Sequence, residues 1–324
     1  MNIKILLLSF LFCSATIVTA VAQAETNPVQ LRNHDSGEVE EFNVLKSDNH
    51  VRQGPYVRYR QTVSIVEKTS LITLFETGNY ELGRKEGEWR TFSAVKPWNK
   101  LISKGNYHDG KQEGVWTYYQ LFTPAGMPMV KAVATDATSK SGYAVSISDT
   151  TAVIQAQGLY TQGMRVGVWT YFNRQGEVIQ KVDHFTNRLL YWRPAANPIL
   201  GTEVLTTHPV LYVGGKDQLT AEIFKSIKFN FMSILGAAKN GEVELVFKVD
   251  ESGHQIGLAV ANTDSPSRYE KILLATLAKV PALWVPQVVD GKTQASEYRV
   301  KIMAKLEEPG GIRKVLTTVE ALGS

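Results

Sequence analysis

Gly105-Asn106-Tyr107-His108-Asp109-Gly110-Lys111-Gln112-Glu113-Gly114-Val115-Trp116-Thr117-Tyr118-Tyr119 is the stretch on which the fold turns, because the chain repeats it. Gly78, Tyr80, Gly83, Gly87, Trp89 and Phe92 precede it at the same spacing, and Gly158, Tyr160, Gly163, Gly167, Trp169 and Phe172 follow. The shared pattern is G-x-Y-x2-G-x3-G-x-W-x2-aromatic, and self-similarity of this kind marks a repeat architecture. Gly83 and Gly87 bracket Arg84-Lys85-Glu86 and predict a tight polar connection, where glycine reaches positive φ without steric cost. Gly110 with Gly114 and Gly163 with Gly167 predict the same connection in the other copies. The aromatic flanks suit strands. Strand side chains alternate between faces, so Trp116 and Tyr119, three apart, point to opposite faces. Stacked hairpins then carry a tryptophan stripe on one face and a Tyr/Phe stripe on the other.

The pattern fades outward. Gly54-Pro55-Tyr56 with Tyr59 is a worn half-copy in which Tyr56 takes the tryptophan position, and Asp183-His184-Phe185 with Asn187 is a trailing fragment. An Ala/Thr/Ser-rich insertion over 132–156 predicts a hairpin of its own, turning at Ser148-Asp149-Thr150. A single-layer sheet has no interior, so its aromatic ladder replaces a core. Trp89, Trp116 and Trp169 are read as structural on that ground, and Tyr118 and Tyr171 as outward-facing contacts for a partner. The segment from about Val51 to Leu190 resembles the MORN-type repeat in its antitoxin-like variant. The resemblance implies an elongated, twisted antiparallel sheet used for protein or lipid contact, without catalytic residues.

A second composition begins near Leu211. Leu219, Ile223, Phe224 and Ile227 have helical spacing after Gly214-Gly215. Val243, Leu245, Phe247 and Val249 alternate as a strand, Asp250-Glu251-Ser252-Gly253 turns, and Ile256, Leu258 and Val260 return. Ser265-Pro266 opens a second helix, with Pro in its first turn and Tyr269, Ile272, Leu273 and Leu277 inward. Trp284-Val285-Pro286 and Asp290-Gly291-Lys292 precede a strand, Tyr298 to Leu306. The Tyr-x-Gly-Gly at Tyr212, the Gly-x-Val at Gly241, the Asp-x-x-Gly at Asp250 and the Trp-x-Pro at Trp284 resemble the C-terminal domain of TonB-type proteins. That resemblance implies a small sheet with helices on one face, whose edge strand pairs with an extended peptide of a partner. Tyr298, Arg299, Val300, Lys301 and Ile302 are then contact residues on a free last strand.

At the other end, Lys4 and the apolar run Ile5–Ala22 precede Ala22-Gln23-Ala24, a small-residue signal-peptidase site. Export with cleavage after Ala24 is expected; an uncleaved inner-membrane anchor is the alternative. Cys13, the only cysteine, lies in that segment, so the mature chain would lack thiols and disulfides. A net charge of +4 with 20% charged residues of both signs gives no basic stripe for nucleic acid. The six histidines are scattered without metal-ligand spacing, and no nucleophile elbow, phosphate loop or dinucleotide fingerprint occurs. Gly214-Gly215-Lys216 is too short for a phosphate loop. Glu40-Glu41 is a carboxylate pair expected to be solvated.

The expected fold class is α+β: a single-layer antiparallel sheet of repeated hairpins, then a small α/β domain. Its divisions are 1–24 signal peptide, 25–50 polar leader, 51–190 repeats, 191–210 connector, 211–307 C-terminal domain and 308–324 tail, the two parts folding separately. The expected function is that of a non-enzymatic periplasmic or otherwise exported binding or scaffold protein, without cofactor or metal, contacting envelope proteins. A TonB-like transport component and an enzyme of unrecognised type stand beside it.

Overall fold

The computed structural model describes residues 24–64, 69–93, 99–120, 133–139, 142–146, 153–193, 206–230, 234, 237, 241–307 and 314–323. Residues 1–23 of the expected signal segment 1–24 and most of the connector, 194–205, lie outside them. The hairpin meander comprises β1 (Thr26–Arg32), β2 (Glu38–Leu45), β3 (Arg52–Ser64), β4 (Thr69–Glu81), β5 (Arg84–Phe92), β6 (Leu101–His108) and β7 (Lys111–Tyr119). After the separate hairpin β8 (Val133–Ser139) and β9 (Gly142–Ser146) it resumes with β10 (Ile154–Thr161), β11 (Met164–Phe172), β12 (Val178–Asp183) and β13 (Arg188–Trp192). All eleven meander strands lie in one sheet in chain order, each antiparallel to the next. The sheet of hairpins expected from the repeats is therefore present.

Two stretches of the hairpin region differ from the sequence reading. The polar leader 25–50 contributes two strands: Val39, Phe42 and Val44 are buried, and period-two alternation runs through Glu38–Leu45. Glu40 and Glu41 are likewise engaged, Glu40 with Arg52 at 3.1 Å and Glu41 accepting from the Tyr59 hydroxyl at 2.7 Å. In the insertion, Ser139 pairs with Gly142, so the hairpin turns earlier than expected; 148–150 lies outside the described residues.

The repeat turns are shorter than predicted. Leu82-Gly83, Asp109-Gly110 and Gln162-Gly163 all have positive φ and form two-residue turns of the kind that match strand twist. Arg84-Lys85-Glu86 already belongs to β5, and Gly87, Gly114 and Gly167, at φ of +66°, +68° and +59°, mark register breaks further along. Each hairpin tip is tied to the one before. The N–H groups of Gly83, Gly110 and Gly163 donate to Arg52, Lys85 and Gln112 carbonyls. Leu82, Asp109 and Gln162 donate to the side chains of Gln53, Glu86 and Glu113.

The C-terminal region runs β14 (Leu211–Tyr212), α1 (Gly215–Phe229), β15 (Gly241–Val249), β16 (Gln255–Val260), α2 (Arg268–Leu277), β17 (Trp284–Val285), β18 (Gln287–Val289), β19 (Lys292–Gln294), β20 (Ser296–Glu307) and β21 (Lys314–Gly323). Its four-stranded sheet has the order β16-β15-β20-β21. One face buries Val243, Leu245, Phe247, Val300 and Ile302 under Leu219, Ile223 and Ile227 of α1 and Tyr269, Leu273 and Leu277 of α2. Phe224, expected inward, is exposed. α2 begins after Ser267, whose hydroxyl accepts from Glu270 N while Glu270 accepts from Ser267 N; this capping box, rather than Pro266, starts the helix.

The stretch 308–324, expected as a tail, contains β21, which pairs with β20 from Arg299 to Glu307. β20 is consequently an interior strand between β15 and β21, not a free edge. Tyr298, Val300 and Ile302 are buried in the core, while Arg299 pairs with Glu244 and Lys301 with Glu242 across the sheet.

Candidate functional site: the aromatic ladder and the seam it shares

The tryptophan of each repeat lies on the glycine that opens the same repeat. A Cβ at Gly78, Gly105 or Gly158 would overlap the indole of Trp89, Trp116 or Trp169. The flat contact lets each indole N–H reach backbone: Trp89 donates to Asn79 O at 3.1 Å, Trp116 to Asn106 O and Trp169 to Leu159 O at 3.0 Å. Tryptophan and first glycine thus form one unit, eleven residues apart in every copy.

Between these units stand the repeat tyrosines. Tyr80–Trp89, Trp89–Tyr107, Tyr107–Trp116, Trp116–Tyr160 and Tyr160–Trp169 are all edge-to-face, with centroids 5.2–5.9 Å apart. That geometry brings the positive ring edge to the negative ring face. The ladder is capped by Tyr56 at one end and His184 at the other. The opposite face carries a second cluster of Val39, Tyr59, Leu74, Phe92, Leu101 and Tyr119.

Tyr118 and Tyr171 are not outward contacts. They stand two residues after Trp116 and Trp169, hence on the same face, and stack on them at 6.2 and 6.4 Å. Tyr171 is buried, and its hydroxyl meets His184 Nε2 at 2.7 Å. Burial pushes the phenols of Tyr118 and Tyr171 up and holds the His184 imidazole down at about 4. All three are neutral near pH 7.

Sequence reading missed a row of polar side chains laid over this ladder, two positions before the last glycine of each copy: Arg52, Lys85, Gln112 and Arg165. Lys85 Nζ lies 3.8 Å from the Trp89 ring centroid and 2.6 Å from Glu76 Oε1. Arg52 caps Phe42 at 4.1 Å and pairs with Glu40. Arg165 lies 4.5 Å over Trp169. Three of these four side chains are cationic, and that was the available signal.

The two regions meet over this same face. The ribbon β14–β17 uses its period-two alternation twice. Tyr212 and Trp284 enter the C-terminal core, while Leu211, Val213, Leu283 and Val285 pack on Trp116, Trp169 and Tyr171. Gln180 locks the seam: its side-chain N–H donates to Tyr212 O at 3.1 Å and its oxygen accepts from Gly214 N at 2.7 Å. Asn187 donates to Ser252 O at 2.8 Å, and Gln155 bonds Gln218. The two parts, expected to fold separately, share one buried cluster.

No family model, curated protein or solved structure matches this chain. Among the described residues no helix is long and apolar enough to cross a membrane, and no three His, Cys, Asp or Glu side chains gather as a metal site.

Of the expected contacts, Tyr171, Tyr298, Val300 and Ile302 are buried, Tyr118 is half-buried on the ladder, and Arg299 and Lys301 are held in ion pairs across their own sheet, so the outer face of the last copies is a further candidate surface. Near the hairpin tips, the first copies place Asn79, Glu86, Glu88, Asn106 and Glu113 there. Later strands place Val115, Leu159, Val166 and Val168 in register across β7, β10 and β11. Val115, Leu159 and Val168 are 54%, 47% and 48% exposed.

Proposed function

We propose that this is an exported cell-envelope binding or scaffold protein, without enzymatic activity, whose partner protein docks on the outer face where the second and third repeats adjoin. The observation carrying the reading is the change from charged and amide side chains to a strip of branched aliphatics at equivalent repeat positions. A frame built from identical units provides its own control: equal backbone geometry does not require Val168 where Glu88 serves. Four such side chains bury only a few hundred Å², against roughly 1,000 Å² for a stable interface. The contact therefore suits a transient partner rather than a permanent dimer. The signal-like segment Lys4–Ala24 supports the envelope as the compartment. The MORN-type and TonB-type resemblances belong to the same proposal, with one change from the TonB pattern: β20 is covered by β21, so peptide capture along β20 has no support.

A photo-crosslinking residue at Val168 and, in a separate chain, at Glu88 tests the reading in intact envelopes. Adducts with a defined protein at position 168 and none at 88 are expected. Equal adducts at both positions, or none at 168, would remove the strip as a docking surface.

A further inference from the structure

The three full copies can be compared at the cation that caps the tryptophan. In the first, Lys85 has a carboxylate, Glu76, which pairs across the strands with Thr91. In the second, the equivalents are Gln112, Ser103 and Tyr118: the charges disappear together, and the tyrosine fills the space that Glu76 occupies. In the third they are Arg165, Ala156 and Tyr171. Here the carboxylate has gone and the cation remains.

Arg165 is held by neutral groups. Its Nε donates to Tyr160 Oη and one terminal nitrogen to Tyr171 Oη, both at 3.2 Å. No carboxylate pairs with it among the described residues, and its other terminal nitrogen makes no hydrogen bond there. A guanidinium stays charged at every accessible pH, and phenols satisfy its donors without neutralising it. A half-buried cation over an aromatic ring gains most from an anion that meets it edge-on, because two parallel N–H···O bonds form at once. The internal precedents at this position, Glu76 with Lys85 and Glu40 with Arg52, are both carboxylates.

We propose that Arg165 is the anchor of a binding site for a carboxylate group, walled by Trp169, Tyr160, Tyr171 and His184. The site lies on the face opposite the aliphatic strip and does not depend on the docking reading. The carboxylate comes from either a small free acid or the C-terminus of a peptide.

Titration of the full chain followed by the NMR signals of the Trp169 indole N–H and the His184 ring tests it, at pH 7 and constant ionic strength. Probes are acetate and acetyl-diglycine, each against its neutral amide. Saturable shifts with the acids and none with the amides are expected. Arg165→Gln, which copies Gln112, should weaken the acids at least about tenfold; Arg165→Lys, which copies Lys85, should retain them. Acetyl-diglycine at least about tenfold tighter than acetate assigns the site to a peptide terminus, and equal affinity to a small acid. Absence of saturable shifts with both acids, equal shifts with the amides, or unchanged binding in Arg165→Gln would overturn the proposal.

Discussion

The hairpin sheet and the C-terminal unit solve the problem of burial in opposite ways. The C-terminal unit has an interior: two helices close over one face of a four-stranded sheet, and Leu245, Phe247, Leu273 and Val300 contact several neighbours each. The hairpin sheet has two faces and no interior of its own, so Trp89 is buried by its strand neighbours and the polar row above it, and Trp116 and Trp169 by these together with the seam. In the first case a side chain is constrained by volume. In the second it is constrained by the backbone beneath it, which must be glycine. The same residue type therefore carries different weight in the two regions.

The largest effect expected from breaking this arrangement is at Trp169, which is fully buried and belongs to the cluster shared with Val213 and Val285. Trp169→Ala should cost about 3–5 kcal/mol. Because the seam is common to both regions, denaturant unfolding followed by fluorescence of the remaining tryptophans should still give one transition at a lower midpoint. A second, unshifted transition assigned to the C-terminal unit would show that the seam does not couple them.

A gentler pair of substitutions sharpens the contrast. Gly158→Ala forces a methyl into the Trp169 indole and should destabilise by about 1–3 kcal/mol. Gly257→Ala, on the edge strand β16, brings a methyl only to ordinary contact with the Lys248 side chain, 3.6 Å away. It should be neutral or stabilise by up to about 1 kcal/mol, through the lost freedom of the unfolded chain. Urea midpoints of the two variants decide it: equal costs would mean that the glycine seat is not what fixes the ladder.

Much of this was legible from spacing alone. The triplicated glycines and aromatics located β4 to β7, β10 and β11, and the separation of Trp116 from Tyr119 assigned opposite faces. The same parity places Tyr118 beside Trp116, but a pattern that stops at one aromatic does not use it. β1 and β2 escaped because Glu38–Leu45 interleaves its apolar residues with four polar ones and has no copy of the motif. β21 escaped because Pro309-Gly310-Gly311 reads as an ending, although Val315, Thr317 and Val319 alternate beyond it. The seam could not be read at all: Gln180 and the dual use of β14–β17 depend on which elements meet in space.

The smallest effect concerns the turns, where the two regions follow one rule and a single residue departs from it. Asp109-Gly110 and Gln162-Gly163 in the sheet, and Asp290-Gly291 in the C-terminal unit, pair a polar residue at positive φ with glycine. Leu82-Gly83 has the same geometry, with Leu82 at φ of +48° and its side chain 68% exposed. Leucine gains no burial there and bears the steric cost of the left-handed region, about 1–2 kcal/mol, which asparagine largely escapes by bonding locally. The Leu82 N–H donates to Gln53 Oε1 at 2.8 Å, a backbone contact that the substitution leaves in place. Leu82→Asn should thus stabilise the chain by about 0.5–1 kcal/mol, seen as a higher urea midpoint with an unchanged slope. A loss of stability would mean that Leu82 makes a contact worth more than its strain. The first turn would then be set by packing, as in the C-terminal core, rather than by backbone as in the rest of the sheet.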